Sequence, residues 1–251
     1  MSILIFLIYS KNLLNIFIGN IIILELINEN YGDCYFSIDD GYLESKYVFV
    51  DGNSIETRLL NPIKIGETGF GTGLNLLVLE DLIYSLGYEK KEITFTTVEK
   101  FILEPSVVEK TLSLLNEVTN LSLSRHISLY NLIYSGIKTG WNKFVINREW
   151  GTLTINLFYG DVIESFNNYP VKNDAWFLDG HSPDKNPEMW SELLFESVAK
   201  YSISGTTFAT FTAAGIVKRG LRNAGFSVRR IKGFGRKRHM ILGALIKDYK
   251  I

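Results

Sequence analysis

The densest chemistry in the chain lies in Glu67-Thr68-Gly69-Phe70-Gly71-Thr72-Gly73-Leu74. Alternate glycines let a backbone turn tightly and come close to a ligand. A phosphate-cradling P-loop would follow its glycines with Lys-Ser or Lys-Thr, and a dinucleotide fingerprint would put its third glycine where Leu74 stands. The acid ahead of the glycines also disfavours a pyrophosphate, which its charge would repel. A cationic amino-acid cofactor suits it better. Glu67 can accept hydrogen bonds around the methionine part of S-adenosylmethionine, directly or through water. The competing reading is a structural turn, but the expected strand before it and helix after it both favour a binding turn.

Other residues extend this chemistry. Glu99 ends the next expected strand, where an acid can accept hydrogen bonds from both hydroxyls of a ribose. Asp161, after Phe158-Tyr159-Gly160, can accept from an adenine amino group, or serve only as a turn residue beside glycine. Phe70, Lys100 and Gly160 flank these groups and are counted with the same site. Asp179 closes the apolar run Ala175-Trp176-Phe177-Leu178, beside the expected cofactor. Pro183 and Pro187 stiffen the loop behind it. In that loop His181 is a substrate contact or proton shuttle, or simply a solvated histidine, and Lys185 is counted with the substrate contacts. Trp190 is either a surface on which an extruded base stacks or a core tryptophan of the next helix.

Charge is placed unevenly. Lys200 to Lys247 contains no acidic residue, yet Lys218, Arg219, Arg222, Arg229, Arg230, Lys232, Arg236, Lys237 and Arg238 all fall there. Such a face can hold phosphates; the alternative is an ordinary solvated surface. Arg236-Lys237-Arg238, dense and flanked by Gly233 and Gly235, is the better phosphate candidate.

The elements that position these residues alternate strand and helix, the pattern of a parallel-sheet α/β domain. Strands are expected at Lys64–Glu67, Glu92–Val98, Ala175–Leu178 and Thr206–Phe211. Helices are expected at Leu74–Leu86, Ser106–Thr119, Glu188–Tyr201 and Gly215–Ala224. Trp150-Gly151 joins Lys143–Asn147 and Thr152–Phe158 as a hairpin. Tyr35–Ser37 and Tyr47–Val50 read as a smaller hairpin. Ser227–Ile231 and Met240–Ile246 are separated by too few residues for a parallel crossover, so they should pair antiparallel. The expected architecture is a Rossmann-like, mostly parallel seven-stranded sheet closed by a C-terminal antiparallel hairpin.

The whole chain has 251 residues and a formal net charge of −1. That length suits one substantial domain over residues 32–251, and the charge gives no global case for nucleic-acid binding. Cys34 alone leaves no pair for an internal disulfide. His126, His181 and His239 lack zinc-ligand spacing, so no metal and a reducing cytoplasm are expected. Residues 1–31 stand apart. Met1–Leu26 is rich in Ile, Leu and Phe, but Lys11, Asn12, Asn15 and Asn20 interrupt the roughly 20 apolar residues a membrane helix needs. A packed or disordered extension, an early translation start, and a membrane or signal segment all stay open, the last least favoured.

On these residues the chain resembles a known family. ETGFGTGLNL (Glu67–Leu76), FLDGHSPDKNPEMW (Phe177–Trp190), ATFTAAG (Ala209–Gly215) and KGFGRKRHM (Lys232–Met240) are similar to the MnmC-type tRNA 5-methylaminomethyl-2-thiouridine methyltransferases. Tyr35-Phe36-Ser37 and Glu44–Phe49 are similar to their N-terminal part, and the likeness covers nearly all of Gly32–Ile251. It implies a class I S-adenosylmethionine-dependent methyltransferase that methylates the primary amine of 5-aminomethyl-(2-thio)uridine at the tRNA wobble position. It also implies that Glu67, Gly69, Gly71, Gly73, Glu99 and Asp161 hold the cofactor and that Asp179 faces the amine. Relatives carry Phe-Ala where this chain has His181-Ser182. Many also carry an FAD-dependent domain that removes a carboxymethyl group, an activity not expected here.

Two other functions fit parts of the pattern. One is a small-amine methyltransferase or aminopropyltransferase, which the basic C-terminal segment disfavours because amine substrates are cations. The other is a non-catalytic tRNA-binding protein on a degenerate cofactor fold, disfavoured by the intact glycine turn, Glu99 and Asp179.

Overall fold

The computed structural model describes residues 41–87 and 89–246, together with the backbone pairing of four strands ahead of them. Those four are β1 (Ile5–Ser10), β2 (Leu13–Ile18), β3 (Ile21–Asn28) and β4 (Asp33–Cys34), paired antiparallel in that order as a separate sheet. Among the described residues no helix is long and apolar enough to cross a membrane.

The main sheet has eight strands in the order β11-β12-β10-β9-β5-β6-β8-β7. In chain order they are β5 (Ile63–Glu67), β6 (Lys91–Glu99), β7 (Gly140–Arg148), β8 (Gly151–Tyr159), β9 (Asn173–Phe177), β10 (Ser202–Thr210), β11 (Phe226–Ile231) and β12 (Met240–Leu245). From β10 through β9, β5 and β6 to β8 every pairing is parallel. Antiparallel strands close both ends. At one end β12 lies between β10 and β11, with Phe226 opposite Leu245 and Ile231 opposite Met240. This is the expected C-terminal hairpin. At the other end β7 pairs with β8, the hairpin expected around Trp150-Gly151. The sheet therefore has eight strands rather than the expected seven.

Helices cover both faces. On one side lie α3 (Leu74–Ser85), α4 (Pro105–Leu112) and α5 (Asn120–Gly136), packed on a core that includes Ile65, Leu76, Phe95, Tyr130 and Ile155. On the other lie α7 (Glu192–Lys200) and α8 (Gly215–Asn223), around Trp176, Trp190, Phe195, Leu221 and Phe226. Each large apolar side chain so buried contributes about 1.5–3 kcal/mol, which anchors the sheet beneath the loops at its carboxyl edge.

Three sequence expectations change. Tyr47–Val50 is helical: α1 (Gly41–Ser45) runs into a wider π-type turn over Lys46–Asp51. Val48, Phe49 and Val50 are all buried against α3 and β10, a burial that needs no alternation of faces. Asn53 ties this segment down, its Nδ2 donating to the carbonyls of Phe49 and Trp176. The proposed partner strand, Tyr35–Ser37, lies outside the described residues. Second, the helix read over Ser106–Thr119 stops at Leu112, and Thr119 instead caps α5, its Oγ1 accepting from Ser122 N–H. Leu121 and Leu132 of α5 face solvent while His126 is buried, which scrambles the spacing that marks a helix in sequence. Third, the helix read over Glu188–Tyr201 is split into a tight turn at Pro187–Trp190 and α7.

Candidate active site

Because β5, β6 and β9 run parallel, their carboxyl ends share one edge, and the acids that follow them are brought together there. A cavity of about 580 Å³ opens at this edge. Gly69, Phe70, Gly71, Glu99, Lys100, Gly160, Asp161, Asp179, His181 and Lys237 all line it. Open α/β sheets bind ligands in this crevice.

The turn after β5 is held from several sides. Phe70 N–H donates to the Val98 carbonyl at 2.9 Å, and Thr68 Oγ1 donates to the Asp179 carbonyl at 2.6 Å. A Cβ on Gly69 would stand 3.3 Å from that same carbonyl, so the turn presses on the loop carrying Asp179. Gly73 opens α3 with φ of +74°, and a Cβ there would meet the His126 ring at 2.7 Å. Gly73 therefore does not line the cavity; it packs against the core. Burial lowers the pKa of His126 to about 4, leaving it neutral, and its Nε2 donates to the Thr72 carbonyl at 2.8 Å. This buried histidine props the turn from beneath.

Glu99 spans the bend. Its Oε2 accepts from Gly71 N–H and its Oε1 from Phe101 N–H, both at 2.7 Å. Burial raises its pKa, while those N–H groups stabilise its charge. Asp161 caps the short helix α6 (Val162–Ser165), with Oδ1 accepting from Ile163 N–H at 2.9 Å, and its Oδ2 pairs with Lys100 Nζ at 3.1 Å. Phe101, Val162 and Ile163 add apolar wall beside these acids. A close backbone turn, an acid for a ribose, and an acid beside an apolar wall for a base form a donor and acceptor set that fits S-adenosylmethionine.

Of the two routes expected for Glu67, direct and through water, its burial disfavours the direct one. Glu67 is 1% exposed and lies beneath the cavity wall. Its Oε1 accepts from Asn75 Nδ2 at 2.9 Å and its Oε2 from Thr97 Oγ1 at 2.6 Å. Burial is the main cause that pushes its pKa up to about 8. Asn75 Nδ2 also donates to Asp179 Oδ2 at 2.7 Å, and Asp179 Oδ1 accepts from Gly180 N–H at 2.8 Å. Glu67 thus reaches the cavity only through Asn75. Burial also raises Asp179, to about 6, with the nearby Glu44 adding to the shift and the two hydrogen bonds and Lys237 opposing it.

Trp190 is a further correction. It is 1% exposed, its indole N–H donates to the His181 carbonyl at 2.9 Å, and its ring meets Phe211 edge-on. It is a core tryptophan that sets the loop, with no face left for a base. Lys185, Arg236 and Arg238 are exposed and outside the cavity, whereas Lys237 enters it and pairs with Glu44. The sequence reading missed Asn75, Glu44 and Phe211. Asn75 left a signal, a lone amide within Leu74-Asn75-Leu76-Leu77; Glu44 left none, since it fell between the two strands of the smaller expected hairpin.

Comparison with known proteins agrees with the fold. A family described as S-adenosyl-L-methionine-dependent methyltransferase matches residues 131–246. The tRNA 5-methylaminomethyl-2-thiouridine biosynthesis bifunctional protein MnmC of Marinomonas sp. (strain MWYL1) is 39% identical over 222 residues, covering 87% of this chain and 32% of that protein. The protein of the same name from Chromobacterium violaceum is 41% identical over 218 residues, covering 85% of this chain and 32% of its own length. The chain therefore spans about a third of the length of the curated relatives it matches. The crystal structure of MNMC2 from Aquifex aeolicus shares the fold with a TM-score of 0.68 at 22% identity, covering 88% of this chain and 66% of that one. The chain thus has the α/β fold of the class I S-adenosylmethionine-dependent methyltransferases. Within that class its sequence is similar to the methyltransferase domain of the MnmC proteins.

Proposed function

We propose that this chain methylates the primary amine of 5-aminomethyl-(2-thio)uridine at the wobble position of tRNA, with Asp179 as the group that faces the amine. One observation carries the reading: Asp179, fixed by Asn75 and Gly180, shares a single cavity with the glycine turn and Glu99. The names of the relatives supply the substrate class. The acid-free basic stretch from Lys200 to Lys247 supports a polyanionic acceptor. A tRNA acceptor in turn suits a reducing, cytoplasmic setting.

In this reading Glu99 accepts from the ribose hydroxyls, and Asp161 stands near the adenine. The backbone at Gly69, Phe70 and Gly71, with Lys100 and Gly160, completes the cradle. S-adenosylmethionine, when bound, supplies an electrophilic methyl group on a sulfonium centre. The chain's own task is to align the amine and keep water out. Phe49, Met189 and Phe211 give the cavity an apolar lining for the second purpose. For the first, Asp179 orients the amine and takes its proton, because only the neutral amine is nucleophilic. An amine with a pKa of roughly 10 is neutral in about one molecule in a thousand at pH 7. An ionised carboxylate within reach therefore matters, and a group with a pKa of about 6 is mostly ionised at that pH.

Asp179→Asn tests the assignment. Single-turnover transfer to aminomethyluridine in tRNA should fall by about a hundredfold or more. Calorimetric affinity for S-adenosylmethionine should stay within a few fold, since the cradle is untouched. Transfer near the wild-type rate would remove Asp179 from the mechanism.

A further inference from the structure

Glu44 stands in the same cavity as Asp179, and the frame ties the two together. Ser45, the next residue, donates to Asn75 Oδ1, and Asn75 Nδ2 donates to Asp179 Oδ2 at 2.7 Å. The Glu44 side chain is 15% exposed, whereas that of its ion-pair partner Lys237 is 51% exposed. The acid is thus set in the wall, and the lysine reaches it from the loop between β11 and β12. That loop is held over the opening by Tyr47, whose hydroxyl donates to the Lys232 carbonyl at 3.0 Å and whose ring lies 5.8 Å from that of Phe234. Lys237 Nζ also lies 5.2 Å from the ring centroid of Phe211, another cavity residue.

A primary alkylammonium therefore already sits in this cavity, between a carboxylate and an aromatic face, with a second carboxylate on the same wall. The Lys237 side chain presents the same group as an aminomethyl substituent: a primary amine on a methylene, protonated in solution. Aromatic faces attract such cations. We propose that Glu44 and Phe211 form, with Asp179, the subsite that captures the substrate's ammonium, and that Lys237 occupies it until the substrate displaces it. Once displaced, Lys237 joins Arg236 and Arg238 on the exposed basic loop, where a phosphate is a suitable new partner. The inference rests on the amine-methylation reading and adds the means of selection: the site tells an amine-bearing uridine from a plain one by its charge before any transfer.

The test compares dissociation constants for one tRNA in two forms, carrying 5-aminomethyluridine or transcribed without modification, in the absence of cofactor. Wild type should prefer the aminomethyl form by about tenfold, the size of one hydrogen bond to a charged group. Glu44→Gln should bring the ratio close to one, because it removes the carboxylate that captures the ammonium. Lys237→Met should raise the ratio when it is measured on the free nucleosides, which offer Lys237 no phosphate, because it removes the internal competitor. A wild-type ratio of one, a Glu44→Gln variant that weakens both forms equally, or a Lys237→Met nucleoside ratio below wild type each overturns the subsite. Methyl transfer by wild type to the aminomethyl form is measured alongside. Its presence with a failed ratio test removes only the subsite, and its absence removes the underlying reading as well.

Discussion

Between β5 and β9, one amide holds two carboxylates. Asn75 Nδ2 donates to both Glu67 and Asp179, and Asn75 Oδ1 accepts from Ser45. The burial that makes Glu67 a fixed support also makes its charge costly. Its folded pKa of about 8 lies above the ordinary 4.5, so its contribution to stability is fully present below pH 4.5 and is lost as pH rises through 8. Unfolding free energy followed by urea titration should carry that decline between those limits, and Glu67→Gln should flatten it. An unchanged slope in the variant would show that Glu67 titrates normally. None of this was readable from the glycine motif. The motif put an acid before a turn, and only the packing of Thr97 and Asn75 around it showed that both its oxygens are engaged inside the wall.

The elements that were legible are those whose signals are local. Glycine spacing and a following apolar run gave the β5–α3 turn, and Trp150-Gly151 gave the β7–β8 hairpin. The short Gly-Arg-Lys loop gave the antiparallel β11–β12 pair. What was illegible depended on distant partners. The Tyr47–Val50 run has strand composition, yet a core on α3 and β10 makes it helical, and α1 ahead of it, which carries Glu44, was not read as a helix. Trp190 looked equally suited to a base or to the core until the His181 carbonyl and Phe211 were found around it. Element geometry also sets the cost of disturbing the turn. At Gly73, with φ of +74° and the His126 ring in the way, Gly73→Ala should lower unfolding free energy by about 1–3 kcal/mol and weaken S-adenosylmethionine binding with it. A variant as stable as wild type in urea would mean that the turn tolerates a side chain there.

Across the whole molecule, function follows from sheet direction. Five central parallel strands bring Glu99 and Asp179 to one edge, and the antiparallel β11–β12 pair carries the basic loop back to the same opening. The proposed cofactor cradle, Asp179 and Lys237 of the basic loop thus line one hollow, although they lie far apart in sequence. All three could be read from the chain as separate motifs. That Lys237, rather than its neighbours Arg236 and Arg238, turns inward to Glu44 could not. The most direct measurement incubates the chain with labelled S-adenosylmethionine and tRNA bearing 5-aminomethyluridine, then digests the tRNA and weighs the nucleosides. One added methyl on the aminomethyl nitrogen, absent when the amine is absent, is the expected result. Label appearing on another nucleoside, or on none while the cofactor still binds, would contradict the assignment.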